Sequence, residues 1–258
     1  FSSGLAAVEI GGGGVTTRST IVGGKTVLHG KIGYVDKTGA FIIKPQFDAA
    51  GPFAEERARV QMGGKWGYID SVGVFAVTPR FEDAGDVSEG RAAVRIASQE
   101  EGTHWAYIDP AGEIVVAFEN PTLFDAGSFH QGLARTSRHG GVAYVDVSGQ
   151  VVLTDPSGQC GDFSEGLATA RADAGWGFID TSGRFAIQPR FSEARPCHYG
   201  LAAVTRGAGW GYISASGKVV IDYQFREAWD FDGPVARARR LSKMLYINRR
   251  GQTVWEDP

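Results

Sequence analysis

Five acidic residues recur at near-regular intervals: Asp36, Asp70, Asp109, Asp146 and Asp180. Carboxylates transfer protons and bind hard cations, so a repeated series could mark general acid–base chemistry or a metal site. The residues around them point elsewhere. Ser214 and Asn248 complete the series, and a glycine follows three residues later in every copy: Gly39, Gly73, Gly112, Gly149, Gly183, Gly217 and Gly251. Asp, Asn and Ser open type I turns because the side chain accepts a hydrogen bond from the turn backbone, and glycine closes them at positive φ. A cation needs ligands converging from several elements, whereas here one acid falls in each repeat. Hairpin turns are expected, with no metal and no cofactor.

Other reactive residue types are equally dispersed. Val22–Thr26 reads VGGKT, close to a phosphate-binding loop, but Ser19 stands where the first glycine belongs and the following VLHGKIGYV reads as strand, not helix. The run Gly11–Gly14 reads as a flexible hairpin tip. His29, His104, His130, His139 and His198 show no metal-ligand spacing. No Ser–His–Asp trio stands out, because each serine lies in a turn or at a repeat junction, so a hydrolase is disfavoured. Cys160 and Cys197 are the only cysteines, too few for a disulfide framework or a four-cysteine zinc site. Neighbouring repeats could bring them together as a disulfide; two unpaired, partly buried thiols are the expectation.

Composition narrows the class. The chain has 258 residues, a net charge of −3 and 43% hydrophobic residues, enough for a sizeable core. Near-neutral charge gives no footprint for nucleic acid. No apolar run reaches the roughly 18 residues of a membrane span. Glycine is abundant, at 37 residues, which suits many short strands joined by tight turns. The chain opens on Phe1, as expected where a leader has been removed or a longer chain cut. An exported or periplasmic setting is favoured over a cytoplasmic one.

Self-comparison organises the whole sequence. Repeats begin near Phe1, Phe53, Val87, Phe129, Phe163, Cys197 and Phe231, with a base period of 34 residues between Phe53 and Val87 and again from Phe129 onward. The expected fold is all-β: one domain over residues 1–258, built from seven antiparallel units. Each has three strands and a short fourth. The first strand carries Ala6, Ala58, Ala92, Ala134, Ala168, Ala202 or Ala236 at its second position, a sterically crowded site. The second is the Trp-Gly strand, exemplified by Ala174–Gly183, AGWGFIDTSG. Alternation places Trp176 and Phe178 on one face and Gly177 and Ile179 on the other, so both faces are apolar and sandwiched. The aromatic after the glycine is Tyr34, Tyr68, Tyr107, Tyr144, Phe178, Tyr212 or Tyr246. The third strand is expected to end at Pro45, Pro79 or Pro189, where a missing N–H stops the ladder. A Phe-x-x-Ala segment then leads onward. A closed, propeller-like array would leave no open edge, with an open solenoid of hairpins as the alternative.

This pattern resembles the bacterial WG-repeat (WG beta-repeat) proteins over nearly the whole chain. Ile32, Val142 and Met244 depart from it at the tryptophan, and Ala106 and Ala143 at the glycine. The resemblance implies a scaffold or binding module, with no enzymatic activity and no site residues to carry over. A non-catalytic recognition module is therefore the expected function, with another protein as partner. Toxin neutralisation (immunity) is one compatible setting. Binding of glycans or cell envelope through aromatics is the alternative. Trp66, Trp105, Trp176 and Trp210 fill a repeated packing slot, whereas Trp229 and Trp255 fall outside it and are candidate contacts. The insertion at about Gly11–Leu28, with Arg18, and the acidic loop Ser98–His104, with Glu100, Glu101 and His104, are the other candidate surfaces.

Overall fold

The structure, a computed structural model, describes residues 1–11, 18–22, 25–98, 102–118, 125–138, 140–155 and 158–257; of residues 18–22 and 25–29 it describes the backbone alone. Among these, no residue is helical, and seven antiparallel sheets follow one another along the chain. Two compact bodies comprise them: Phe1–Phe129 with Val147–Gln150, and His130–Asp146 with Val151–Pro258.

The second sheet shows the plan. Its strands, Ala49–Ala54, Arg57–Met62, Lys65–Ile69 and Phe75–Phe81, lie side by side in chain order. The Phe-x-x-Ala segment thus supplies the first strand of the next sheet. The first sheet has three strands, Ala6–Ile10, Lys31–Val35 and Phe41–Phe47, and its insertion forms a separate hairpin of Arg18–Val22 with Lys25–His29. Gly12–Gly14 of the expected flexible tip lie outside the described residues.

The acidic slot is turn chemistry, as its spacing indicated. Asp36 Oδ1 accepts hydrogen bonds from the N–H groups of Thr38 and Ala40, and the Gly39 N–H donates to the Asp36 carbonyl. Asp180 and Asn248 repeat this arrangement. Gly183 sits at φ +80°, where a Cβ is unfavourable. Hydrogen bonds from the Thr38 and Ser182 hydroxyls and from turn N–H groups hold the Asp36 and Asp180 carboxyls below the usual carboxylate range.

The hydrophobic core lies between successive sheets. Tyr34, Ile43 and Phe47 of the first sheet pack on Phe53, Ala58 and Val60 of the second. Tyr212, Ile221 and Phe225 of the sixth pack on Phe231, Ala236 and Ala238 of the seventh. Three joints repeat one ring contact, the tyrosine of one sheet edge-on to the phenylalanine opening the next: Tyr34–Phe53 at 4.9 Å, Tyr144–Phe163 at 5.0 Å and Tyr212–Phe231 at 5.1 Å between centroids. A buried aromatic removes roughly 150–250 Å² from water, about 4–6 kcal/mol gross before entropy. The repeated alanine is what lets the ring approach. Trp176 and Phe178 face the next sheet's core while Ile179 belongs to the preceding one, which is the sandwiching that alternation predicted.

The expectation that a strand stops at proline is corrected. Phe41–Phe47, Phe75–Phe81 and Phe185–Phe191 each run through theirs, at Pro45, Pro79 and Pro189. These are edge strands, where a proline costs no ladder bond if it sits at a bulge. The bulge explains the Trp-Gly pair. Trp66 pairs with Phe81 and Tyr68 with Val77, so residues 78–80 bow outward opposite Gly67. A Cβ on Gly67 would lie 2.4 Å from the Val77 carbonyl oxygen and 2.7 Å from Pro79 N. Gly33, Gly177 and Gly211 meet the same obstruction, and their sheets carry the same two register shifts. Where Ala106, Ala143 or Leu245 replaces the glycine, the partner strand has only one shift and the outward bow is missing.

Cys160 and Cys197 are free and buried, more so than expected, and lie in different inter-sheet cores. Burial, then hydrogen bonding to Asp155 and Glu165 respectively, pushes both thiols up to about 12. Because the folded state favours the neutral thiol, their contribution to stability is intact below the unfolded value near 9 and declines as pH rises from 9 toward 12. Both thiols are therefore expected to resist a thiol reagent such as DTNB until the protein unfolds. Rapid labelling of the native protein would contradict their burial.

Candidate functional site

The site is built where the repeat is broken. The first strands of the second, sixth and seventh sheets each carry a bulge, placed between Ala50 and Phe53, Ala194 and Cys197, and Ala228 and Phe231. The residue that follows the repeated alanine, or Cys160, at this place in the repeat serves the preceding sheet through its backbone. Its carbonyl accepts the hydroxyl proton of the preceding tyrosine: Tyr34 to Gly51, Tyr68 to Gly85, Tyr107 to Gly127 and Tyr212 to Trp229, all at 2.8 Å. Tyr144 makes the same bond to Gly161. Because only the carbonyl is used, the side chain at this position is free to vary. It is absent at Gly51, Gly85, Gly127 and Gly161, and large at Arg195 and Trp229.

Around these two residues lies a connected polar and aromatic patch in the second body. The Arg237 guanidinium lies 4.3 Å from the Trp229 ring centroid, and that of Arg195 5.3 Å from Trp210. Asp230, beside Trp229, holds its Oδ1 buried and without a hydrogen-bond partner among the described residues. Burial raises its carboxyl above the ordinary value, against the opposing pull of His198 and Arg195. His198 Nε2 lies 3.9 Å from Asp230 Oδ2. Next to it, Tyr199 is 47% exposed, under the Arg249 guanidinium at 5.4 Å.

Tyr199 marks a second break. At the corresponding turns Glu55 accepts the N–H groups of Glu89 and Gly90, Gln131 accepts that of Gly166, and Glu165 accepts those of Tyr199 and Gly200. These carboxylates and amides latch each turn to the next. Tyr199 occupies the latch position with an aromatic that cannot accept in this way, at φ +55°. A non-glycine residue in the left-handed region costs about 1–2 kcal/mol, here offset by the Glu165 bonds.

A Ser–His–Asp trio does come within reach: Ser164 Oγ is 3.5 Å from His198 Nδ1. The serine proton is already committed, since Ser164 Oγ donates to the Cys197 carbonyl at 2.6 Å. Ser88 makes the same 2.6 Å bond to the Phe129 carbonyl. The hydroxyl is thus a joint between successive sheets, repeated along the chain.

Of the residues singled out from sequence, Trp229 is central to this patch, half-buried beneath Arg237. Trp255 is 49% exposed on the last strand, the opposite edge of the same sheet. His104 is half-buried on strand Gly102–Ile108 in the first body, with Nδ1 buried and unpartnered among the described residues. Glu100 and Glu101 lie outside the described residues, and Arg18 is placed by its backbone alone, on the inserted hairpin. Sequence reasoning missed Arg195, His198, Tyr199, Asp230, Arg237 and Arg249. The signal was present: aligning the residue after Ala50, Ala84, Ala126, Cys160, Ala194 and Ala228 shows four glycines and then Arg195 and Trp229.

Among solved structures, the crystal structure of the eukaryotic initiation factor is similar at a TM-score of 0.56 and 12% identity, covering 88% of this chain and 71% of that one. BamB from Moraxella catarrhalis gives 0.47 at 11%, over 98% and 88% of the two chains. Apo AztD from Citrobacter koseri gives 0.42 at 11%, over 87% and 76%. None of the curated proteins matches the chain. The likeness at 0.56 shows fold alone, an array of antiparallel β-sheets. The model of the WG containing repeat matches residues 32–66, 66–98, 176–207 and 210–243. The first residue of each match, Ile32, Trp66, Trp176 or Trp210, immediately precedes one of the four glycines that face a bulge. Together these matches span just over half the sequence, and the chain belongs to the family of WG-containing-repeat proteins.

Proposed function

We propose that this chain is a non-catalytic recognition module that binds another protein through the Arg195–Tyr199–Trp229 patch. One observation carries the reading: the position that is glycine in four places becomes arginine and tryptophan in two successive sheets, and at Trp229 the carbonyl still accepts the preceding tyrosine hydroxyl. Tryptophan, tyrosine and arginine are the residue types that dominate binding hot spots. The patch is mixed in charge, with Arg195, Arg237 and Arg249 against Asp230 and Glu165, which suits a protein surface better than a polyanion. The one approach to a catalytic trio has its serine proton bound to backbone, so the module is read as acting by binding alone.

A photo-crosslinking residue at position 199 tests this. A specific protein adduct is expected there, and none from the same residue placed at Val72, which is exposed on a turn of the second sheet. Adducts from position 72 alone, or from neither position, would move the interface elsewhere. Glycan binding through an aromatic is the second reading, since it needs a tryptophan exposed beside polar groups. Trp255 is so placed, near the Lys243–Glu256 ion pair at 3.2 Å, but it occupies a slot that is a sheet-to-sheet surface elsewhere in the chain.

A further inference from the structure

The last strands of four sheets carry the outward bow, and each ends on a phenylalanine: Phe47, Phe81, Phe191 and Phe225. Two positions of the repeat form the corner around it. One is the residue just before it in the strand: Gln46, Arg80, Arg190 or Gln224. The other comes from the following sheet, four residues beyond its crowded alanine: Met62, Ile96, Arg206 or Arg240. Met62 and Ile96 pack on the cores that hold Phe47 and Phe81. Arg80 rests on Phe81 at 5.0 Å and donates to the Gly112 carbonyl at 2.6 Å. Arg240 rests on Phe225 at 5.3 Å, and its Nη2 donates to Gln224 Oε1 at 2.8 Å. Three of the four corners therefore carry no more than one cation, and each of these cations has an acceptor.

Between the fifth and sixth sheets, both within the second body, the two positions are both arginine. The Arg190 and Arg206 guanidiniums lie 5.2 and 5.6 Å from the centroid of the one Phe191 ring. Both side chains belong to exposed residues. Arg190 donates to the Gly217 carbonyl at 2.9 Å. Arg206 has no hydrogen bond, and neither arginine is paired with a carboxylate, among the described residues. A third residue departs from the repeat at the same corner. Tyr223, on the last strand Val219–Phe225 of the sixth sheet, stands where the other bowed strands have Pro45, Pro79 and Pro189. The Arg206 guanidinium lies 5.8 Å from its ring centroid. Its hydroxyl is buried and has no hydrogen-bond partner among the described residues.

We propose that Arg190 and Arg206 form an oxyanion site whose ligand is a phosphate group, either free or carried on a side chain of a partner. A guanidinium resting on a ring is held in place while its N–H fork stays open for oxygen. Two like charges over one ring repel each other, and an anion between them reverses that term. A phosphate monoester carries about −1.5 to −2 charges and three acceptor oxygens at neutral pH. It can balance both cations and meet both forks, where a single carboxylate has one charge and two oxygens. The surroundings add to this. From Arg190 to Arg250, eleven Lys and Arg stand against five Asp and Glu in a chain of net charge −3, so the local field favours an anion.

Isothermal titration calorimetry with inorganic phosphate, at constant ionic strength in chloride, tests the site. Two variants copy residues that the repeat itself has at these positions: Arg190→Gln, as at Gln46 and Gln224, and Arg206→Met, as at Met62. Melting temperatures verify that they fold, and if one unfolds the other decides. The intact chain is expected to bind one phosphate, and each variant to bind it about tenfold more weakly or worse. A capped phosphoserine tripeptide separates the sources: tighter binding than inorganic phosphate assigns the site to a phosphorylated side chain, and binding no tighter assigns it to the free ion. Three results would each overturn the proposal: no binding of phosphate by the intact chain, equal affinity in the intact and variant chains, or a capped glutamate tripeptide that binds as tightly as the phosphoserine one.

Discussion

Replacing Tyr212 by alanine is expected to cost about 3–5 kcal/mol, the range for deleting a fully buried aromatic. Three contacts are lost at once. The ring is wholly buried and lies edge-on to Phe225 at 6.3 Å and Phe231 at 5.1 Å. Its hydroxyl donates to the Trp229 carbonyl at 2.8 Å. Tyr212→Phe separates the terms. It keeps the ring and leaves one buried carbonyl without its donor, so about 1 kcal/mol is expected. Phe178 shows that the position tolerates this, standing in the same slot against Cys197 and Ile187. Urea denaturation of the three proteins gives the comparison. Equal losses from both substitutions would mean that the hydroxyl, not the ring, holds sheets six and seven together.

Gly177→Ala should cost about 3 kcal/mol, the upper end of the penalty for overfilling a packed interior. The added Cβ would lie 2.5 Å from the Ile187 carbonyl oxygen and 2.8 Å from Pro189 N, and both are backbone atoms held by a bulge. The mirror substitution is Ala143→Gly. Its partner strand lacks the outward bow, so no clash is relieved and the loss is only the roughly 0.5–1 kcal/mol of added chain freedom. Thermal unfolding should therefore drop far more for the first variant than for the second. Similar drops would mean that the glycine is not required by the bulge opposite it.

These two cases show how much the sequence could tell. The turn at Asp180–Gly183, the crowded alanine and the buried aromatic were legible because each is a local rule repeated seven times. The reason for the glycine of the Trp-Gly pair was not, since it depends on two extra residues in a strand that begins six or more positions later. The same long-range feature defeated the reading of Pro45, Pro79 and Pro189 as strand ends. Trp229 was found because it broke the pattern, and Arg195 and Tyr199 broke it equally. They were passed over because arginine and tyrosine are unremarkable surface residues until the bulge and latch positions they occupy are known. Arg237 and Arg249 lie distant in sequence and join the patch only through the fold.

If the repeat is scaffold, recognition resides where the repeat departs from itself. The direct test restores the repeat. An Arg195→Gly, Trp229→Gly double variant has at both positions the residue found at Gly51, Gly85, Gly127 and Gly161, and keeps the carbonyl that Tyr212 requires. Intact and double-variant chains would each be used to capture protein from the source cell, with the bound species quantified by mass spectrometry. The double variant is expected to stay folded, as judged by its melting temperature, and to capture at least tenfold less of the specific partner. A folded variant that captures the same partner at the same level would contradict this.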